Sequence, residues 1–386
     1  MMRRMAPVYL DVASAAPWHP AALAAHGRVA ASHPADPGRR HRSGRAAADL
    51  LESARSAVAT TLGASADRLA FTSGGTESVH LAVIGAARAN RTRPGRVVSA
   101  AVEHSAVLAA ADAAGLEHVR VGVDRDGRVD VGGLEAALAG GACLVNVQHA
   151  NHEVGTMQPI VEIAALCRAR DALLHVDACQ TVGRLPVDLG GLGADFLSCS
   201  AAKFGGGRGV GALAWSPRAR FRPLLAGDER ERRRRAGLEN LPGIAAFAET
   251  LLQLSPSSPD GPAATEVARA DRLRRRLRAR LHAAVDDLEV HGPADGALPH
   301  LVAVSALLCD GEALTAALDQ AGFAVHSGSS CATTSGEPSH VLVAMGALTH
   351  GHVRVAFGQE VGAAELEGFV AAFADAVGEL RRRAGR

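Results

Sequence analysis

The sequence predicts an α/β protein: a large domain at 15–254 built on a mainly parallel seven-stranded sheet, and a smaller α+β domain at 255–386 that also takes in residues 1–14. Three observations predict it. A chain of 386 residues exceeds what one hydrophobic core usually organises. From about residue 69 to 215, short apolar runs alternate with helical patterns, as in a parallel sheet covered by crossover helices. The Pro, Ser and Gly density of SPSSPDGP (255–262) then marks a boundary.

In chain order, LAFTS (69–73), RVVSA (96–100), HVRVGV (118–123), ACLVNVQ (142–148), LLHVDA (173–178), DFLSCS (195–200) and GVGALAW (209–215) read as strands. ESVHLAVIGAARA, SAVLAAADAA, VGGLEAALA and PIVEIAALCRAR between them read as helices. Beyond the boundary come a long arginine-laced helix (ATEVARADRLRRRLRARLHAAV), a strand HLVAVSAL (300–307), a helix EALTAALDQAG and a short FAVHS run. A Gly/Ser/Thr-rich loop, a strand HVRVAFG (352–358) and an amphipathic C-terminal helix complete the chain.

With 48% hydrophobic and 21% charged residues the chain can fill a core, and 41 basic against 40 acidic side chains give a formal charge of +1. That balance argues against direct nucleic-acid binding or an anionic membrane as partner. The arginine runs at 230–235 and 272–280 read as solvated faces. The N-terminus carries no apolar run of signal length, and no stretch approaches the roughly 20 apolar residues of a spanning helix, so a cytoplasmic protein is expected. Six cysteines are scattered without CxxC spacing, so neither a disulfide framework nor a metal site is indicated.

One fact is sharper: 40 of the basic residues are arginines and one, Lys203, is the chain's single lysine. Only lysine can shed its proton near neutral pH and act as an amine nucleophile. SGGTES (73–78) sets a glycine pair between strand and helix, where Gly75 and Thr76 and the helix N-terminus suit an anion, although the same pattern also serves as an ordinary cap. Asp177 ends an otherwise apolar strand, where an ionised carboxylate needs a cationic partner; a pyridinium nitrogen is one. Lys203 directly follows the next strand. A lysine, an aspartate and a phosphate-type turn at one sheet edge are the parts that pyridoxal 5'-phosphate (PLP) requires. His104 follows another strand at that edge, where it can stack on a ring or relay a proton, or simply cap a helix. Cys331 sits among small polar residues, which suits a reactive thiol. Cys143, Cys167, Cys179 and Cys199 read as inert and buried.

These segments together resemble the group I cysteine desulfurases, fold-type I PLP-dependent enzymes of the class V aminotransferase group. The likeness runs from VYLDVASAAP (8–17) through FTSGGTES, EHSAV, NHEVGT, HVDACQTVGRLPVDL, the Lys203 segment, RRAGLENLPGI (234–244) and SGSSCATTSGEPSHVL to VRVAFG. The 23 positions from Cys331 to Arg354 resemble the long loop of group I. The resemblance implies that Lys203 carries the cofactor, Asp177 pairs with its ring nitrogen and His104 stacks on the ring. Gln180 would meet the phenolic oxygen; Gly75, Thr76 and Ser200 would hold phosphate; His152 would lie near ring and substrate; and Arg354 would clamp the L-cysteine carboxylate. Cys331 would take the sulfur as a persulfide, leaving L-alanine, in a homodimer that passes sulfur to an acceptor protein. Three positions depart from the family pattern: Ala202 for histidine, His152 for asparagine and Leu238 for threonine. Arg232, Arg234 or Arg235 of a partner subunit would then replace the lost phosphate donors. Alternative readings are another PLP reaction (C–S lyase, aminotransferase or epimerase) with Cys331 a bystander, and a weakly catalytic scaffold.

Overall fold

The computed structural model describes residues 7–90, 95–254, 261–327 and 338–385. Its strands are β1 (Val8–Tyr9), β2 (Leu69–Thr72), β3 (Arg96–Ala100), β4 (Glu117–Val121), β5 (Leu144–Gln148) and β6 (Leu173–Asp177). Then come β7 (Phe196–Ser200), β8 (Gly211–Trp215), β9 (Leu288–His291), β10 (Leu301–Ala306), β11 (Phe323–Ala324) and β12 (His352–Ala356). A seven-stranded sheet runs β2-β8-β7-β6-β5-β3-β4, parallel from β7 to β4, with β8 antiparallel to both of its neighbours. All seven strand segments read from sequence belong to it.

Strands β5 to β8 are buried along their whole length because apolar cores cover both faces. Successive residues alternate between them: Leu144, Leu173 and Phe196 enter one core, Val145, Leu174 and Leu197 the other. A separate core forms around the antiparallel sheet β12-β10-β9 and the helices Pro262–Ala284, Gly311–Gln320 and Ala363–Arg383. Leu10 lies in that core while Val12 and Ala13 lie in the large one, so the N-terminal segment links the two. β1 pairs in parallel with β11, and Asp11 bridges to Ala356.

The sheet topology decides where chemistry gathers. β2, β3, β5, β6 and β7 all point the same way, so Thr72, Ala100, Gln148, Asp177 and Ser200 end at one edge, and the segments after them converge there. Among the described residues no helix is long and apolar enough to cross a membrane.

Some elements escaped the sequence reading. Helices Pro20–Ser32 and Arg42–Thr61 pack on helix Leu241–Leu254, and β9 extends the small sheet. The arginine runs are not plain solvated faces. Arg230 bridges Asp36 and Glu239, Glu231 is buried between them in sequence, and Arg274 is shielded under Asp271.

Candidate active site

A cavity of about 410 Å³ opens at the converging edge. Gly75, Thr76, His104, His152, Asp177, Gln180, Ser200, Lys203 and Arg354 all line it. Cys331 lies outside the described residues.

Lys203 closes a short 3-10 turn, Ala201–Lys203, directly after β7. Its Nζ donates to the carbonyls of Ala13 (3.0 Å) and Ser14 (2.7 Å), which come from the N-terminal segment. Asp177 ends β6, largely buried, and its Oδ1 accepts from the Cys179 amide at 3.0 Å. Gln180 donates through Nε2 to Ala13 O at 2.9 Å, and its buried Oε1 has no partner among the described residues.

His104 caps a helix, the plainer of the roles considered for it. As N-cap of helix Ser105–Asp112 it accepts the Ala106 amide on Nδ1 at 3.1 Å, which places the neutral ring's proton on Nε2. Burial lowers its pKa, against the opposing pull of Asp177. Its ring meets His152 edge-on, with centroids 5.0 Å apart. Burial, reinforced by the charges of His104 and Arg354, holds His152 well below the usual histidine range. His152 Nδ1 has no partner among the described residues.

The helix Gly75–Ala89 starts at the cavity, and the amides of its first turn have no acceptor within the helix. Gly75 is needed there for space: a Cβ would stand 2.6 Å from Cys179 Sγ and 3.3 Å from Ser200 Cβ. Glu77, also at this turn, is tied to the Ser73 amide (2.8 Å) and to Arg235 (3.1 Å); burial pushes its carboxyl up, but these contacts pull it below the ordinary value.

Arg354, on β12, is buried with Nη1 on His152 O (2.9 Å) and Nη2 on both Asp11 (2.8 Å) and Ser14 Oγ (2.7 Å). Its Nε has no partner among the described residues. Two-point capture of a carboxylate therefore requires the Asp11 or Ser14 contact to yield.

The sequence reading missed several cavity residues. Ala13 and Ser14 line the cavity and Asp11 holds Arg354, all from the N-terminal segment, which carries no local signal beyond a carboxylate after an apolar pair. Cys179 is a correction: Cys143, Cys167, Cys199 and Cys309 are buried in the cores, but Cys179 is partly exposed and forms cavity wall. It points inward because the chain leaves the sheet after Asp177. Of the arginines considered as phosphate partners, Arg232 pairs with Glu52, Arg235 with Glu77, and Arg234 donates to Phe221 O and lies over its ring. Each is thus engaged within its own chain. Ala202 lines the cavity, whereas Leu238 is exposed on the surface.

Residues 8–369 match the family Aminotransferase class-V. The chain is 36% identical to "Cysteine desulfurase IscS" of Dictyoglomus turgidum over 91% of its length and 89% of that relative's. It is 37% identical to "Cysteine desulfurase" of Cereibacter sphaeroides over 98% and 97%. Among solved structures it is similar to a "NifS-like protein" with a TM-score of 0.88 and 28% identity, covering 97% of this chain and 100% of that one. A family match over most of the chain, relatives covered almost end to end and a shared fold agree: the chain belongs to the cysteine desulfurase family of the class V aminotransferase group.

Proposed function

We propose that the protein is a PLP-dependent L-cysteine desulfurase that releases L-alanine and gathers the sulfur as a persulfide on Cys331 for transfer to an acceptor protein. The observation that carries this reading is that the chain's only lysine shares one cavity with Asp177, His104, Arg354 and the open first turn of a helix. The residues present fit the cofactor. Gly75 leaves a cradle that a Cβ would fill, the free first-turn amides suit a phosphate, and Gln180 Oε1 and His152 Nδ1 await polar partners.

Thr76, Ser200 and the first-turn amides would hold the phosphate, Asp177 the ring nitrogen, Gln180 the phenolic oxygen and Lys203 the carbonyl carbon, with His104 and His152 beside the ring. When bound, PLP supplies an electron sink that lets bonds next to the amino-acid α-carbon break. Arg354 would orient the substrate carboxylate against that sink. Lys203 Nζ, held by two backbone carbonyls, is the amine placed to move a proton at the substrate, and His104 carries a proton on Nε2 at the same wall. Cys331 thiol plus L-cysteine yields Cys331 persulfide plus L-alanine, which balances without any external oxidant.

The division into a large PLP-binding domain at 15–254 and a small domain at 255–386 with residues 1–14 belongs to the same proposal, as do a homodimeric state and a cytoplasmic location. The separate core around β9, β10 and β12 supports the division. The deciding experiment mixes PLP-loaded protein with L-cysteine and a thiol reductant and quantifies alanine and sulfide together. Equal amounts of both are expected, falling at least a hundredfold in Cys331→Ser while the visible band persists. Pyruvate with ammonia, or undiminished alanine from Cys331→Ser, overturns the reading in favour of a lyase or aminotransferase.

A further inference from the structure

A second cavity, of about 300 Å³, lies where the end of helix Leu241–Leu254 and the start of helix Pro262–Ala284 meet the segments around His300 and Phe357. Two polar side chains on its wall lack the partners that their chemistry demands. His300 is only 3% exposed, yet neither ring nitrogen has a hydrogen-bond partner among the described residues. Arg184 donates through Nη2 to the carbonyl of Lys203 at 3.0 Å, but its Nε is shut off from solvent and has no hydrogen-bond partner among the described residues. Buried polar groups in folded proteins are almost always satisfied, and burying a cation is costlier still.

Glu360 and Glu266 act on Arg184 as charges, but burial outweighs them. Glu266 lines the cavity but is held by both arms of Arg269, at 2.7 and 2.8 Å. Burial brings the Arg184 pKa down to about 10, against the opposing charges of Glu360 and Glu266. Burial, joined by the charges of Arg184 and Arg354, keeps His300 neutral, so its ring offers one donor and one acceptor. The volume is at the lower end of the roughly 300–1,000 Å³ of ligand pockets.

We infer that this cavity binds a small oxyanion, carboxylate or inorganic, through Arg184 and His300. The occupant would sit one guanidinium away from the backbone of Lys203, which ties an anion site outside the active cavity to the residue at its centre. The inference stands apart from the reaction assigned above, since it concerns binding alone.

The test titrates PLP-loaded protein, its phosphate cradle filled, with sodium sulfate and separately with sodium malonate by calorimetry. One probe ion per chain is expected for at least one of the two. His300→Leu should weaken it tenfold or more, as should Val267→Phe, which takes up cavity space while leaving both polar side chains in the sequence. Arg354→Gln, which alters the other cavity, should change it less than twofold. No binding of either ion to the wild type, or a loss that follows Arg354→Gln while His300→Leu and Val267→Phe bind normally, overturns the inference and leaves the cavity to water.

Discussion

Lys203 is the one amine side chain in the protein, and its Nζ is already steered into the cavity by two backbone carbonyls. Borohydride reduction of the holoprotein should therefore tag a single peptide, the one containing Lys203, and Lys203→Ala should purify without a visible band. A tag elsewhere would reject the cofactor assignment. Gly75 and Cys179 form a second residue-scale case, because Cys179 Sγ occupies the space that a side chain at 75 would need. Gly75→Ala overpacks that wall, and overpacking costs about 1–3 kcal/mol, which corresponds to PLP binding some five- to 150-fold weaker. Adding Cys179→Ala should return most of the affinity. PLP titration of the two single variants and the double variant measures this coupling; additive losses would show that the two residues do not compete for the same space.

At the scale of elements, the segment after β8 is held in an uncommon conformation. Glu231, Arg232 and Arg233 lie consecutively in the left-handed region, at φ 45, 57 and 61°. What over-determines this turn is the Glu231 carboxylate, buried against Arg55 at 2.6 and 2.8 Å and accepting the Phe71 amide of β2 at 2.7 Å. Breaking a buried ion pair from one side leaves the other charge stranded, at a cost of about 3–5 kcal/mol. Glu231→Ala should lower urea-unfolding stability by that amount, whereas Arg233→Gly should raise it by about 0.5–1 kcal/mol, since Arg233 is exposed and glycine tolerates its φ. A destabilising Arg233→Gly would mean that the Arg233–Glu229 contact outweighs the backbone strain. The turn also carries Arg235 to Glu77, so β2, the turn and the first turn of the cavity helix behave as one unit.

The whole molecule buries many histidines, and their sum predicts a pH response. Burial lowers His149 and His175 to about 4 from an unfolded value near 6.5, and His152, His300 and His352 shift the same way. A depressed folded pKa means that the unfolded chain binds more protons between about pH 4 and 6.5, so stability from these groups is present above 6.5 and lost as the pH falls. Glu153 opposes them: burial raises it to about 7, so its contribution is full below 4.5 and fades as the pH rises towards 7. Burial raises Glu103 in the same sense as Glu153, and the five histidines outweigh these two glutamates. Urea midpoints should climb from pH 4.5 to 6.5 and flatten above, with a smaller climb in His175→Asn; midpoints highest at pH 4.5 would contradict this balance.

The local chemistry of the chain was legible without coordinates. Alternating apolar runs specify strands wherever both faces are buried, and a carboxylate ending one such run with the only lysine after the next places both at one cavity, because parallel strands bring their carboxyl ends together. Whatever depends on distant segments was not legible. No local pattern tells that Ala13 and Ser14 hold Lys203, that Asp11 occupies Arg354, or that Cys179 leaves the core for the cavity wall. Glu231 reads as one more charge in an arginine run, yet it is buried because Arg55, 176 positions away, meets it there. The pattern of side chains along a strand is set by its two-residue period, but the partner of a buried charge is set by which remote segments the fold packs together, and only the tertiary structure decides that.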